Sequence, residues 1–186
     1  MAVYIALLRG INVGGHNKIK MADLRSMFET IGISPVQTYI QSGNVLFESN
    51  ENEEFLREQI ERKIKTVFGC SVTVILRTAS ELEKIMNNCP FSAEEIIEAE
   101  ASSEGECLYV SLMIEAPSQK NVERLNSSDR KLDKYIIEGR NIYLLFHQSV
   151  RNSKLASNLN KLDTPATMRN WKTMNKLAAM AKSIES

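Results

Sequence analysis

Three segments of this chain occur twice, in the same order, and that repetition constrains the fold more than any other feature. Val3–Leu8 (VYIALL) matches Leu108–Met113 (LYVSLM), each with an aromatic in second place among β-formers. YIQSGNVLF from Tyr39 matches YIIEGRNIYL from Tyr135 if one residue is inserted at the second turn. RTASELEKI from Arg77 matches RNWKTMNKL from Arg169 without a gap, so that Arg77/Arg169, Leu82/Met174, Lys84/Lys176 and Ile85/Leu177 coincide. Chance produces any one of these matches easily. Three in order, each at the same kind of element, argue for an internal duplication.

The elements between the matches follow one plan. Residues 2–8 are a continuous apolar run, as in a central strand. Met21, Leu24, Phe28 and Ile31 recur at helical spacing, with Gly32 as the stop. Residues 36–41 and 44–48 read as a hairpin turning at Ser42-Gly43. Leu56, Ile60, Ile64 and Val67 mark the inner face of a second helix that ends at Gly69. Residues 72–77 form a strand, and Thr78 and Glu81 make a capping-box pattern before another helix. The second half repeats this with a strand at 107–114, a helix carrying Val122 and Leu125, and a hairpin around Gly139. A helix with Leu155, Leu159 and Leu162, a short strand at 166–169 and a last helix from Trp171 complete it. The expected fold is α+β: two ferredoxin-like βαββαβ(α) subdomains with antiparallel sheets. The first spans 1–90, an acidic linker 91–105, and the second 106–186.

Composition narrows the class. No apolar run approaches the roughly 18 residues that span a bilayer, and the N-terminus reads as a strand rather than a signal peptide. Cys70, Cys89 and Cys107 are an odd number, far apart, with no CxxC pair. They suggest neither a disulfide framework nor a metal site, and the expected setting is the cytoplasm. Formal net charge is zero, so nucleic acid is not an expected partner, and neither is a membrane. The charge is unevenly placed, however. Residues 1–20 carry Arg9, Lys18 and Lys20 with no acid, and residues 92–106 hold six glutamates and no base.

A duplication supplies its own control, because whatever only one half contains is not needed by the scaffold. The loop RGINVGGHNKIK is long, glycine-rich and basic, where the second half has the short EAPSQ. Gly10, Gly14 and Gly15 let backbone N–H groups converge on one point, and the loop runs into a helix N-terminus, a combination that favours anions. Arg9, Lys18 and Lys20 add charge, and Asn12 and Asn17 add hydrogen-bonding groups. The loop lacks the GKS or GKT ending of a Walker A motif. HQSVRNSK, after the last hairpin, replaces the acidic ESNENEE and places Arg151 and Lys154 before a helix capped by Asn152 or Ser153.

The remaining chemistry-bearing residues carry weaker signals. Trp171 suits a core position and the repeated Arg77/Arg169 a structural one. His16 and His147, on separate loops, make a poor metal site. The cysteines sit in apolar context, as inert thiols do. No RNP1-like aromatic pattern is present, which ranks RNA below a small anion.

YIALLRGINVGGHNKIKMADLR, TYIQSGNVLF, ILRTASELEKIMNNCPF and ATMRNWKTMNKLAAMA are similar, over nearly the whole chain, to the bacterial family called domain of unknown function 1697. RGINVGG and RNW-x-T-x-x-KL together are quite specific to it. The resemblance implies two ferredoxin-like subdomains, a bacterial source and no assigned activity. The family pattern has a basic residue, often lysine, at the place of His16, which argues against catalysis by His16 and leaves an anion-loop role intact. SVRNSK resembles the family's GxxRSK-type stretch, with Asn152 as an insertion or variant. The leading expectation is binding of a small anionic or phosphate-bearing ligand by Arg9, Asn12, Gly14, Gly15, Lys18 and Lys20, with Arg151 and Lys154 converging on the same anion. The alternatives are a protein–protein or homo-oligomeric interaction module without catalysis, and a weak nucleic-acid binder. No catalytic residue, metal or cofactor is assigned.

Overall fold

The computed structural model describes all residues, 1–186. The chain runs β1 (Ala2–Leu8), α1 (Met21–Thr30), β2 (Val36–Tyr39), β3 (Asn44–Ser49), α2 (Glu53–Phe68), β4 (Val74–Thr78) and α3 (Ala79–Asn87). It continues with α4 (Ala93–Ser102), β5 (Leu108–Met113), α5 (Gln119–Asn126), β6 (Lys134–Glu138) and β7 (Asn141–Leu145). Then come α6 (Lys154–Asn158), β8 (Ala166–Asn170) and α7 (Trp171–Glu185), with short 3-10 turns before and after α6. This is a mixed α and β protein with two four-stranded antiparallel sheets, ordered β2-β3-β1-β4 and β6-β7-β5-β8. It divides into two compact units, Met1–Met86 with Asn175–Ser186, and Asn87–Met174.

In the first unit the alternation of side chains along each strand builds the core. Tyr4, Ala6 and Leu8 of β1 join Val45 and Phe47 of β3 and Val74 and Leu76 of β4. They pack on Leu24, Met27 and Phe28 of α1 and Leu56, Ile60 and Ile64 of α2. Phe47 stacks on Tyr4 with centroids 5.9 Å apart and tilts against Phe28 at 5.5 Å. Val3, Ile5 and Leu7 on the opposite face are also buried, which is why β1 reads as an unbroken apolar run. Asn52 caps α2 by accepting from the Phe55 N–H, and Gly69 ends it in the left-handed region. Val67, expected on the inner face, is half exposed, because the buried stripe of α2 stops at Ile64. The Thr78–Glu81 capping box forms: Glu81 Oε2 accepts from the Thr78 N–H at 2.8 Å, and Thr78 Oγ1 from the Glu81 N–H at 3.2 Å.

In the second unit Met113, Leu125, Ile142, Leu144, Phe146, Leu155 and Leu162 form the corresponding cluster. The acidic stretch before β5 is structured as α4, opened by a Ser92–Glu95 capping box. The helix expected through Leu155, Leu159 and Leu162 is shorter than its pattern, since α6 ends at Asn158 and a 3-10 turn carries the chain to Asp163 at φ 52°.

The cross-strand registers repeat from sheet to sheet. Tyr4 lies between Phe47 and Thr78, and Tyr109 between Leu144 and Asn170. Ile5 pairs with Arg77 as Val110 pairs with Arg169, and Leu7 with Asn44 as Leu112 with Asn141. One expected correspondence fails. Tyr39 faces Asn44, whereas Tyr135 faces Leu144, so the two tyrosines are not equivalent. The first hairpin closes over Ile40–Gly43 and the second over Gly139-Arg140 alone, so the turns differ in length in the opposite sense to the inserted residue.

Arg77 and Arg169 are both buried. Each donates from Nη1 to the carbonyl of the preceding residue, at 2.8 and 2.9 Å, and Arg169 also donates to Thr167 Oγ1 at 2.7 Å. Burial pushes the Arg169 guanidinium down to about 10.

Candidate functional site

The glycine-rich loop is held by backbone groups and by one asparagine. The Arg9 N–H donates to the Thr73 carbonyl at 2.9 Å, fixing the exit from β1. Ile11 then turns inward and is buried. It lies over Gly43, where an added Cβ would sit 2.6 Å from Ile11 Cδ1 and 2.9 Å from Leu8 Cβ, and where φ is +81°. Only glycine fits there, so the β2–β3 turn and the loop are built against each other. Asn12, at φ 55°, is the staple. Its Nδ2 donates to the carbonyls of Ile19 and Gln41 at 2.9 and 2.8 Å, and its Oδ1 accepts from the Ile19 N–H at 2.8 Å. Asn17 Nδ2 donates to the Gly10 carbonyl at 3.3 Å, and a tight turn joins Val13 and His16.

Arg9, Gly14, Gly15, His16, Lys18 and Lys20 are exposed, and Asn12 is half-buried. The polar atoms of the Asn12 side chain are thus engaged inside the loop rather than offered to a ligand. Beside the loop lies an open concavity of about 420 Å³ lined by Asn12, Lys18, Ile19, Lys20, Asp23, Gln41 and Phe68. It adjoins the start of α1, where Lys20 is the N-cap residue and makes no side-chain capping bond. Two lysines and a helix N-terminus therefore border one surface recess, with Asp23 as the acid on its rim. Sequence reasoning missed Asp23, Gln41 and Phe68. Asp23 was legible as an acid in the first turn of a helix; Gln41 and Phe68 arrive only through the tertiary fold.

Arg151 and Lys154 are exposed and belong to the second unit. Their segment is organised by Asp133, 2% exposed, which was not singled out in the sequence. Asp133 Oδ1 accepts from the His147 N–H at 2.8 Å, and its Oδ2 accepts from Ser153 Oγ at 2.6 Å. Ser153 Oγ in turn accepts from the Ala156 N–H at 3.0 Å, which makes Ser153 the N-cap of α6. A Ser, a His and an Asp meet here, but the histidine contributes its backbone, so the arrangement is a brace and not a nucleophile with its base.

A second recess, of about 390 Å³, is lined by Glu58, Glu61, Arg62, Lys65, Ser71, Val72 and Thr73. Its two acids and two bases balance in charge, and Glu61 Oε1 is occupied by the Val74 N–H at 2.8 Å. Trp171 is half-buried, as are Cys70 and Cys89. Cys107 is buried, and burial, with Glu100 nearby, pushes its thiol up. No helix is long and apolar enough to cross a membrane.

Among curated proteins there is no match. A solved structure, the conserved bacterial protein SP0830 from Streptococcus pneumoniae, is similar at 26% identity and a TM-score of 0.71, covering 97% of this chain and 98% of that one. The family model described as a protein of unknown function, DUF1697, matches residues 1–143, a stretch that contains the glycine loop, the Gly43 turn on which it rests and both sheets as far as β7. The chain belongs to the DUF1697 family.

Proposed function

We propose that the protein binds a small anionic or phosphate-bearing ligand in the recess beside the glycine-rich loop. The observation that carries this reading is the recess itself, where Lys18 and Lys20 stand at the uncapped first turn of α1. Backbone N–H groups of a first helical turn have no partner within the helix, and a bound anion satisfies them with favourable dipole. Gly14 and Gly15, at φ 57° and 78°, give the loop tip backbone that a ligand can approach closely. Asp23 on the rim adds an acceptor, which suits a ligand carrying a hydroxyl or amine next to its anionic group, such as a sugar phosphate or nucleotide. Arg9 adds long-range attraction, and Arg151 and Lys154 form a separate basic pair on the second unit. The reading assigns binding and no reaction.

We also infer that the two sheets descend from one ferredoxin-like unit, supported by their matching strand order and by the registers of Tyr4/Tyr109 and Arg77/Arg169. A bacterial cytoplasmic setting is supported by the pneumococcal neighbour and by three free thiols.

Thermal-shift measurements with inorganic phosphate, nucleotides and sugar phosphates test the binding. A ligand at a hundredfold excess over its Kd stabilises by about 2.7 kcal/mol, and the midpoint should rise with one ligand class. Lys18→Ala and Lys20→Ala should each reduce that rise. An unchanged midpoint with all three classes would rule the reading out.

A further inference from the structure

The exposed edge of the second sheet is self-complementary. Of the eight strands, β6 is the one with no buried residue, and it lies at the edge of its sheet, paired to β7 alone. Tyr135 and Ile137 point toward the core, while Lys134, Ile136 and Glu138 face out, with Ile136 42% exposed. Edges of this kind are normally blunted, since open backbone groups recruit another strand.

The register fixes which groups are open. Gly139 leads the two-residue turn, in the II′ pattern, so Glu138 and Asn141 form a hydrogen-bonded pair. Hydrogen-bonded pairs then recur at Ile136 and Lys134. Tyr135 and Ile137 therefore turn their N–H and C=O groups away from β7.

We propose that β6 pairs antiparallel with β6 of a second copy about a twofold axis at Ile136. In that register Tyr135 and Ile137 exchange backbone hydrogen bonds with Ile137 and Tyr135 of the second copy. Ile136 faces its own counterpart, and Lys134 faces Glu138 of the second copy, twice by symmetry. Centring on either neighbouring residue would place Ile136 opposite a charged side chain. Charge and apolar pattern thus select one register, and the contact is isologous, so it closes as a dimer. Glu95, 2.9 Å from Lys134, lies beside the same cation and reinforces the acidic surroundings that hold it. A strand of five residues is a small contact, so the association is weak and concentration-dependent.

Sedimentation equilibrium from about 10 µM to about 1 mM, the range of weak association, tests the proposal. The expected result is a monomer–dimer equilibrium that Ile136→Lys abolishes and that Lys134→Glu or Glu138→Lys alone weakens on the order of tenfold, since each single change opposes like charges. An equimolar mixture of the two single variants should recover dimer, because each then meets its opposite. All three residues are exposed, and an unchanged far-UV CD spectrum with a cooperative thermal transition verifies folding, the midpoint of Lys134→Glu alone being lowered by loss of the Glu95 pair. A monomer at every concentration would overturn the proposal. So would a dimer indifferent to these substitutions, or single variants that fail to associate when mixed.

Discussion

Ile11 and Gly43 meet so closely that the loop and the hairpin turn cannot be altered independently. Gly43→Ala combines left-handed strain with a 2.6 Å clash against Ile11, and should destabilise by about 3–5 kcal/mol in urea titrations. Gly69→Ala, with open space around the added methyl and only the positive φ against it, should cost about 1 kcal/mol. Asn12→Ala strands the Ile19 N–H and two carbonyls, and about 2 kcal/mol of lost stability is expected by the same titration. At cysteine the sign of the pKa shift decides reactivity. Cys107, its thiol raised by burial, should label with a maleimide far more slowly than half-buried Cys70 and Cys89, and unfolding should abolish the difference. Residue roles were the least legible part of the sequence. Asn12 has the right chemistry for an oxyanion, and only the tertiary positions of Ile19 and Gln41 reveal that its amide is spent. Asp133 sits in a run of charged residues that looks like solvated surface, yet its partners His147 and Ser153 lie more than ten residues away in the chain.

At the scale of elements the sequence was far more explicit, because caps and apolar periods are local. The β1 run, the Thr78–Glu81 box and the Gly69 stop each required nothing beyond neighbouring residues, and each is present. Turn length was harder to read: Tyr39-Ile40 and Tyr135-Ile136 are the same dipeptide, but one leaves its strand where the other is still within it. The cap of α4 gives a pH prediction. Glu95 is held below its usual range chiefly by the Ser92 backbone N–H and then by Lys134. A carboxylate with a lowered folded-state pKa stabilises above its unfolded value, and that contribution is lost as pH falls through the lowered one. Glu95→Gln should therefore lower the thermal midpoint at neutral pH and leave it nearly unchanged near ~pH 2, where both forms are neutral. Asp133→Asn keeps one acceptor oxygen of two. It should cost about 2 kcal/mol and speed amide exchange across residues 147–153.

The whole molecule is two compact units, and the chain enters the first of them twice, at Met1–Met86 and again at Asn175–Ser186. Truncation after Met174 removes part of that unit, including Leu177 and Ala181, both buried, and hydrogen exchange should accelerate in β1–β4. The proposed function rests on the loop between β1 and α1, which is longer than the connection between β5 and α5. In the proposed reading this loop and the first turn of α1 hold an anion. A phosphate titration followed by amide NMR tests it most directly. The expected result is saturable shifts centred on residues 18–23, around the recess, lost in Lys18→Ala. Shifts that are absent, or spread evenly over the lysine-rich surface without saturation, would contradict it.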